Sequence, residues 1–177
     1  MTFLPLPEKF DSNEWFIVVS LIASYSLFFP LRKKMPATIV VLTLCFGIIA
    51  AKMMNATIGV PPFDYYDNND KPELGLADVA LHFLYAPVAY FFVVIYDHWR
   101  FRGISLVLYI AGASLLGVGF EWLADQCGVF QYNRWTKIQS YTVYMIFQCT
   151  LLLFFVVLKK HFARTKRPDL PPQETIE

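Results

Sequence analysis

Charge is scarce in this sequence: aspartate, glutamate, lysine and arginine make up 16% of 177 residues, against roughly 25% in an ordinary soluble domain. Three cysteines, Cys45, Cys127 and Cys149, are too few for a disulfide framework and read as small apolar core residues. No glycine-rich phosphate loop follows a strand, and no Gly-x-Ser-x-Gly motif is present, which argues against nucleotide binding and nucleophilic-serine chemistry. The basic residues form only short clusters beside apolar runs, so nothing points to a nucleic-acid partner. Low-complexity segments and internal repeats are also absent. The net charge of +1 therefore says less than where the charges sit.

What fills the chain is apolar surface: 56% of residues are hydrophobic and 18% aromatic. Five runs, Trp15 to Leu31, Ala37 to Gly59, Leu76 to Tyr96, Ile104 to Ala124 and Ile138 to Leu158, each approach the roughly 20 residues that cross a hydrocarbon core. The fold class expected is all-α, an integral membrane bundle of five transmembrane helices. Arg32, Lys33, Lys34, Arg100, Arg102, Lys159, Lys160, Arg164, Lys166 and Arg167 gather at one face, and Lys9, Lys71, Arg134 and Lys137 at the other. Lysine and arginine excess marks the cytoplasmic side, which gives a plasma-membrane protein with its N-terminus outside and C-terminus inside. The first run has no basic leader or small-residue cleavage site and is followed by basic residues, so it reads as a retained span. Trp15, Trp99, Trp122 and Trp135 lie near the expected boundaries, as an interfacial aromatic belt.

Residues 1–160 form one expected domain, and 161–177 a cytoplasmic tail, basic and then disordered. Tight basic turns predict antiparallel hairpins between the first two spans and between the third and fourth. The outer loop from Val60 to Gly75 is rich in proline, asparagine and aspartate and reads as an irregular lid. Its Asp64, Asp67 and Asp70 suggest calcium, but the glycine and terminal glutamate of an EF-hand are missing.

Ionisable residues within or at the ends of spans are the feature that composition leaves unexplained, because charge in a bilayer is costly unless paired or wet. Lys52, Asp78, His82, Glu121 and Asp125 all fall in the outer half of the expected topology and define one outward-facing chamber. Asp78 and His82 are four residues apart, as are Glu121 and Asp125, so each pair shares a helix face. Gly117, Ala113 and Tyr109 continue the Glu121 stripe, a small-residue pattern that permits close packing. Pro87 leaves the Phe83 carbonyl without its helical partner, beside His82. Tyr141, Tyr144 and Gln148 on the fifth span, with Asn55 on the second, would complete the chamber wall. The catalytic candidates are Glu121 and His82; the ligand-binding candidates are Lys52, Asp78, Asp125, Tyr141, Tyr144 and Gln148.

Several chemistries suit this set. One is structural pairing within the protein. Another is a zinc, manganese or iron site, weakly signalled because only one histidine takes part. A third is acid–base chemistry on a lipid, with Glu121 as proton donor and Lys52 or His82 handling charge. The reading preferred is a chamber that binds a lipid or isoprenoid head group. A small transporter or ion-conducting protein and a structural or assembly subunit are the rival classes, and homo-oligomerisation is compatible with each.

The run Gly119-Phe120-Glu121-Trp122-Leu123-Ala124-Asp125, followed by Gly128-Val129-Phe130-Gln131-Tyr132-Asn133-Arg134-Trp135, resembles a family of small uncharacterised multi-pass membrane proteins of endospore-forming bacilli. The likeness spans about the last hundred residues and carries no activity with it. A fainter similarity is to integral-membrane carotenoid (lycopene) cyclases and hydratases, but their Pro-x-Glu-Glu acidic pair is missing here. The Gly128 to Trp135 segment itself suggests a re-entrant or interfacial cap over Glu121, or an aromatic anchor loop.

Overall fold

A computed structural model describes residues 10–59, 65–68, 75–132 and 134–165. Five long helices dominate: α1 (Ser12–Leu31), α2 (Ala37–Ile58), α3 (Leu76–Trp99), α4 (Ile104–Gln126) and α5 (Lys137–Thr165). All five are long and apolar enough to cross a membrane, as expected of a multi-pass membrane protein. A 3₁₀ turn, Arg32–Lys34, joins α1 to α2, and two short strands, β1 (Tyr66–Asn68) and β2 (Phe130–Tyr132), pair antiparallel with Tyr66 opposite Tyr132.

Local chemistry sets the helix ends. At the start of α1 the Asp11 backbone N–H donates to Glu14 Oε2 at 2.9 Å, and at the start of α3 the Gly75 N–H donates to Asp78 Oδ2 at 2.9 Å. Each carboxylate satisfies a donor that the first helical turn leaves unpaired. Gly128 adopts φ +79° just after α4, a left-handed conformation that glycine enters without steric cost.

Helix α3 is the centre. Its apolar window is 56% buried, against 11–22% in the other four, and it packs against α1, α2 and α5. A methyl group at Gly47 of α2 would come within 2.5 Å of the Tyr85 carbonyl oxygen, so the missing side chain is what brings α2 onto α3. Pro87 interrupts α3, and the Phe83 carbonyl that it frees accepts the Tyr25 hydroxyl of α1 at 3.1 Å. Two apolar clusters fill the interior. One, around Phe28, Tyr90, Val93 and Phe155, lies toward the basic end, and the other, around Ile17, Leu84, Ala124 and Val129, lies toward the ribbon.

Packing departs from the hairpin expectation. Helices α1 and α2 each pack extensively on α3 and scarcely on each other, while α4 takes α5 as its principal partner. A short turn makes consecutive helices antiparallel, but the small face of α2 and the capping tyrosine of α1 both match α3. Helix α5 also runs on through Thr165, so the basic stretch expected to begin a tail is still helical. Residues 166–177 lie outside the described residues, as do the side chains of Asp64, Asp67 and Asp70.

The helix directions gather the charged ends. Tyr90 donates its hydroxyl to the Leu31 carbonyl at 2.8 Å, and Lys159 forms an ion pair with Asp97, which fixes the ends of α1, α3 and α5 together. The ribbon closes the opposite end. There the Arg134 N–H donates to the Tyr65 carbonyl at 3.1 Å, and the Tyr65 and Trp135 rings lie 5.8 Å apart.

Candidate functional site

Glu121 is the hub of the ribbon end. It is buried, at 6% exposure, on the α4 face that meets α5. Its Oε1 accepts the Ser140 hydroxyl of α5 at 2.6 Å and the Tyr132 hydroxyl of β2. Ser140 Oγ in turn accepts the Trp135 indole N–H at 2.7 Å. Tyr144 also interacts with this carboxylate and with Tyr85 of α3, so four elements contribute to one polar centre. Deeper along the α4–α5 seam, the Ser114 hydroxyl donates to Gln148 Oε1 at 3.1 Å. Between these levels Gly117 gives room to the Tyr144 ring, which would lie 3.3 Å from a methyl group placed there.

Burial first, and then the hydrogen bond to Glu121 and its negative charge, push the Tyr132 phenol above its ordinary range. The hydroxyl therefore stays protonated and able to donate at neutral pH.

Asp125, one turn further along α4, has a different fate. It pairs with Lys137 at 3.1 Å, and the Lys137 ammonium lies 4.0 Å from the centroid of the Tyr132 ring. This pair is half exposed and sits at the mouth of the site. Of the expected residues, Glu121, Tyr144 and Gln148 thus line the α4–α5 seam, with Asp125 at its rim. Tyr141 is half-buried and falls one position off the stripe, which runs instead through Ser140, Tyr144 and Gln148.

His82 belongs to a separate centre. It is 6% exposed, as is Asp78. Its Nδ1 meets the Asp78 carbonyl oxygen and its Nε2 meets Asn55 Nδ2 of α2 at 3.1 Å. A carbonyl only accepts and an amide NH₂ only donates, so the arrangement fits the Nδ1–H tautomer with both ring nitrogens in use. The Asp78 carboxylate caps the start of α3.

Lys52 joins neither centre. Its side chain is exposed on α2, and it makes no ion pair among the described residues. The single chamber of five ionisable groups is therefore replaced by two centres, because Lys52 turns outward and His82 turns to α2. Among the described residues, no group of three or more His, Cys, Asp and Glu side chains converges as a metal-holding set.

The sequence does not single out Tyr132 and Ser140 as partners of Glu121, nor Trp135 as the donor to Ser140 and Tyr85 as the partner of Tyr144. Tyr85 is three residues beyond His82, so extending the α3 stripe would have found it. Ser140 begins the correct α5 stripe. The approach of Tyr132 depends on the strand pairing between distant loops, for which the sequence has no local signal. No protein-family model, curated protein or solved structure matches the chain.

Proposed function

We propose that this chain is a multi-pass plasma-membrane protein, N-terminus outside and C-terminus cytoplasmic, whose Glu121 centre binds the polar head group of a lipid or isoprenoid-like molecule. The orientation is supported by Arg32, Lys33, Lys34, Arg100, Arg102, Lys159, Lys160 and Arg164, which occupy one end of the bundle as cytoplasmic basic residues do. The ribbon and the Glu121 centre then lie at the outer side.

The observation that carries the ligand reading is a carboxylate buried within an apolar helix bundle and ringed by the Tyr132, Ser140 and Tyr144 hydroxyls. An ionisable residue inside a membrane bundle is costly and marks a ligand or proton site by default, and the phenols around Glu121 offer apolar faces to a lipid chain.

Native mass spectrometry of protein extracted in mild detergent tests this reading. The wild type should carry a stoichiometric lipid that Glu121→Gln loses and His82→Ala keeps. Bare protein throughout would make the Glu121 centre an internal brace that anchors the ribbon to α4 and α5. Equal loss in both variants would restore a single chamber.

A further inference from the structure

An open cavity of about 660 Å³ lies at the ribbon end of the bundle, and neither Glu121 nor His82 lines it. Its volume falls within the roughly 300–1,000 Å³ of small-molecule sites. The start of α1 supplies most of the wall through Phe10, Asp11, Trp15, Phe16 and Val19, and Cys127, just past the end of α4, closes the far side.

The mouth of this cavity suits a cation. Phe10 and Trp15 meet edge to face with ring centroids 5.3 Å apart and are 54% and 59% exposed, so the two rings form an accessible corner. Asp11 is exposed and lines the same cavity. Aromatic faces attract a cation through the ring quadrupole, and a carboxylate adds direct charge attraction. The stretch from Glu8 to Glu14 holds three carboxylates and one lysine, so the local charge is negative. Ser12, in the first turn of α1, adds a hydroxyl to the wall at the positive end of the helix dipole, where a phosphate is stabilised.

Where the cavity sits decides what reaches it. Trp15 stands at the start of a span, the depth of lipid head groups. Trp15, Val19 and Ile22 recur at i, i+4 and i+7 as exposed residues, an apolar stripe along which an acyl chain can lie. We propose that the cavity seats the head group of a zwitterionic phospholipid, its ammonium against Phe10, Asp11 and Trp15, its phosphate toward Ser12 and one acyl chain along α1. This site is separate from the Glu121 centre and stands whether or not that centre binds a ligand.

The test titrates delipidated, detergent-purified protein separately with dioleoyl phosphatidylcholine, phosphatidylethanolamine and phosphatidylglycerol, with 1:1 complexes counted by native mass spectrometry in the wild type, Asp11→Asn, Trp15→Leu and Glu121→Gln. The three probes share their chains and phosphate and differ in the ammonium. Asparagine caps a helix as well as aspartate does, and Trp15 is exposed, so both groove variants keep the fold. The choline lipid, the ethanolamine lipid or both should lose about fivefold in Asp11→Asn and in Trp15→Leu, the scale of a partly exposed cation–π or charge contact. They should keep wild-type affinity in Glu121→Gln, and phosphatidylglycerol should be indifferent to both groove substitutions.

Unchanged affinity of both ammonium lipids in either groove variant would overturn the assignment. Equal losses of all three lipids would overturn the head-group class and leave a groove for chains alone. Loss of the ammonium lipids in Glu121→Gln would overturn the separate site and move the ligand to Glu121. A lipid-free dimer of the wild type that Trp15→Leu dissociates would make the occupant a second copy of the chain.

Discussion

Glu121 and His82 are buried to the same degree, 6% exposed, at the same end of the bundle, yet their bonding differs in kind. His82 spends both ring nitrogens on the protein, one on a carbonyl of its own helix and one on Asn55. Glu121 gathers three hydroxyl donors from two other elements, Tyr132 of β2 and Ser140 and Tyr144 of α5. A group whose every polar atom is used holds helices together and has nothing left for a ligand. A carboxylate that draws several hydroxyls from other elements onto itself concentrates negative charge and exchangeable protons at one point of the bundle.

The contrast is tested most severely by Glu121→Leu. Loss of the carboxylate leaves the Tyr132 and Ser140 hydroxyls buried without their acceptor, at about 3 kcal/mol in total, whereas Glu121→Gln should change stability little. Thermal unfolding in detergent measures both, and equal losses would mean that charge, not hydrogen bonding, holds the centre. Gly47→Ala should follow closely, at about 2 kcal/mol by overpacking, because the new methyl meets the Tyr85 backbone oxygen rather than a side chain that can move. Gly117→Ala meets only the Tyr144 ring at 3.3 Å and should unfold close to the wild type.

His82→Ala removes one hydrogen bond of Asn55 and should destabilise by about 1 kcal/mol without altering lipid occupancy in the native mass spectrum. Asp125→Asn breaks a pair whose side chains are 28% and 36% exposed, so the expected cost is at most about 1 kcal/mol, and less in high salt.

The smallest effect concerns pH. The folded-state pKa of Tyr132 is raised, chiefly by burial, so its contribution to stability is fully present below the unfolded phenol value near about 10 and declines above it. The stability difference between the wild type and Tyr132→Phe should accordingly shrink above that pH in melts recorded across the range.

Much of the architecture was legible because spans and their ends are local properties. Apolar length marked all five helices, and the Pro87 break correctly identified Phe83 as a carbonyl in need of a partner, later found in Tyr25. The Glu121 stripe through Gly117 correctly read as a packed face, since a small residue there admits Tyr144. The i to i+4 spacing of Glu121 and Asp125 correctly put both on the face toward α5, but not their burial, because one further turn toward the helix end moves a carboxylate from the seam to its rim. Lys52 was grouped with the chamber by depth, but depth says nothing of rotation about the α2 axis. The ribbon stayed hidden because its strands are separated by the whole of α3 and α4, and pairing at that range leaves no periodic trace in either segment, whereas the Tyr132 bond to Glu121, 11 residues away, was visible only as a cap expected of the segment from Gly128 to Trp135.

The most direct test of the difference between the two centres is solid-state NMR of the protein in lipid bilayers with the Glu121 side-chain carboxyl ¹³C and the His82 ring ¹⁵N resonances assigned, before and after addition of geranylgeraniol and stearylamine. A shift of the Glu121 signal with the His82 pair unmoved is the result predicted. A shift at His82, or none at Glu121, would contradict it.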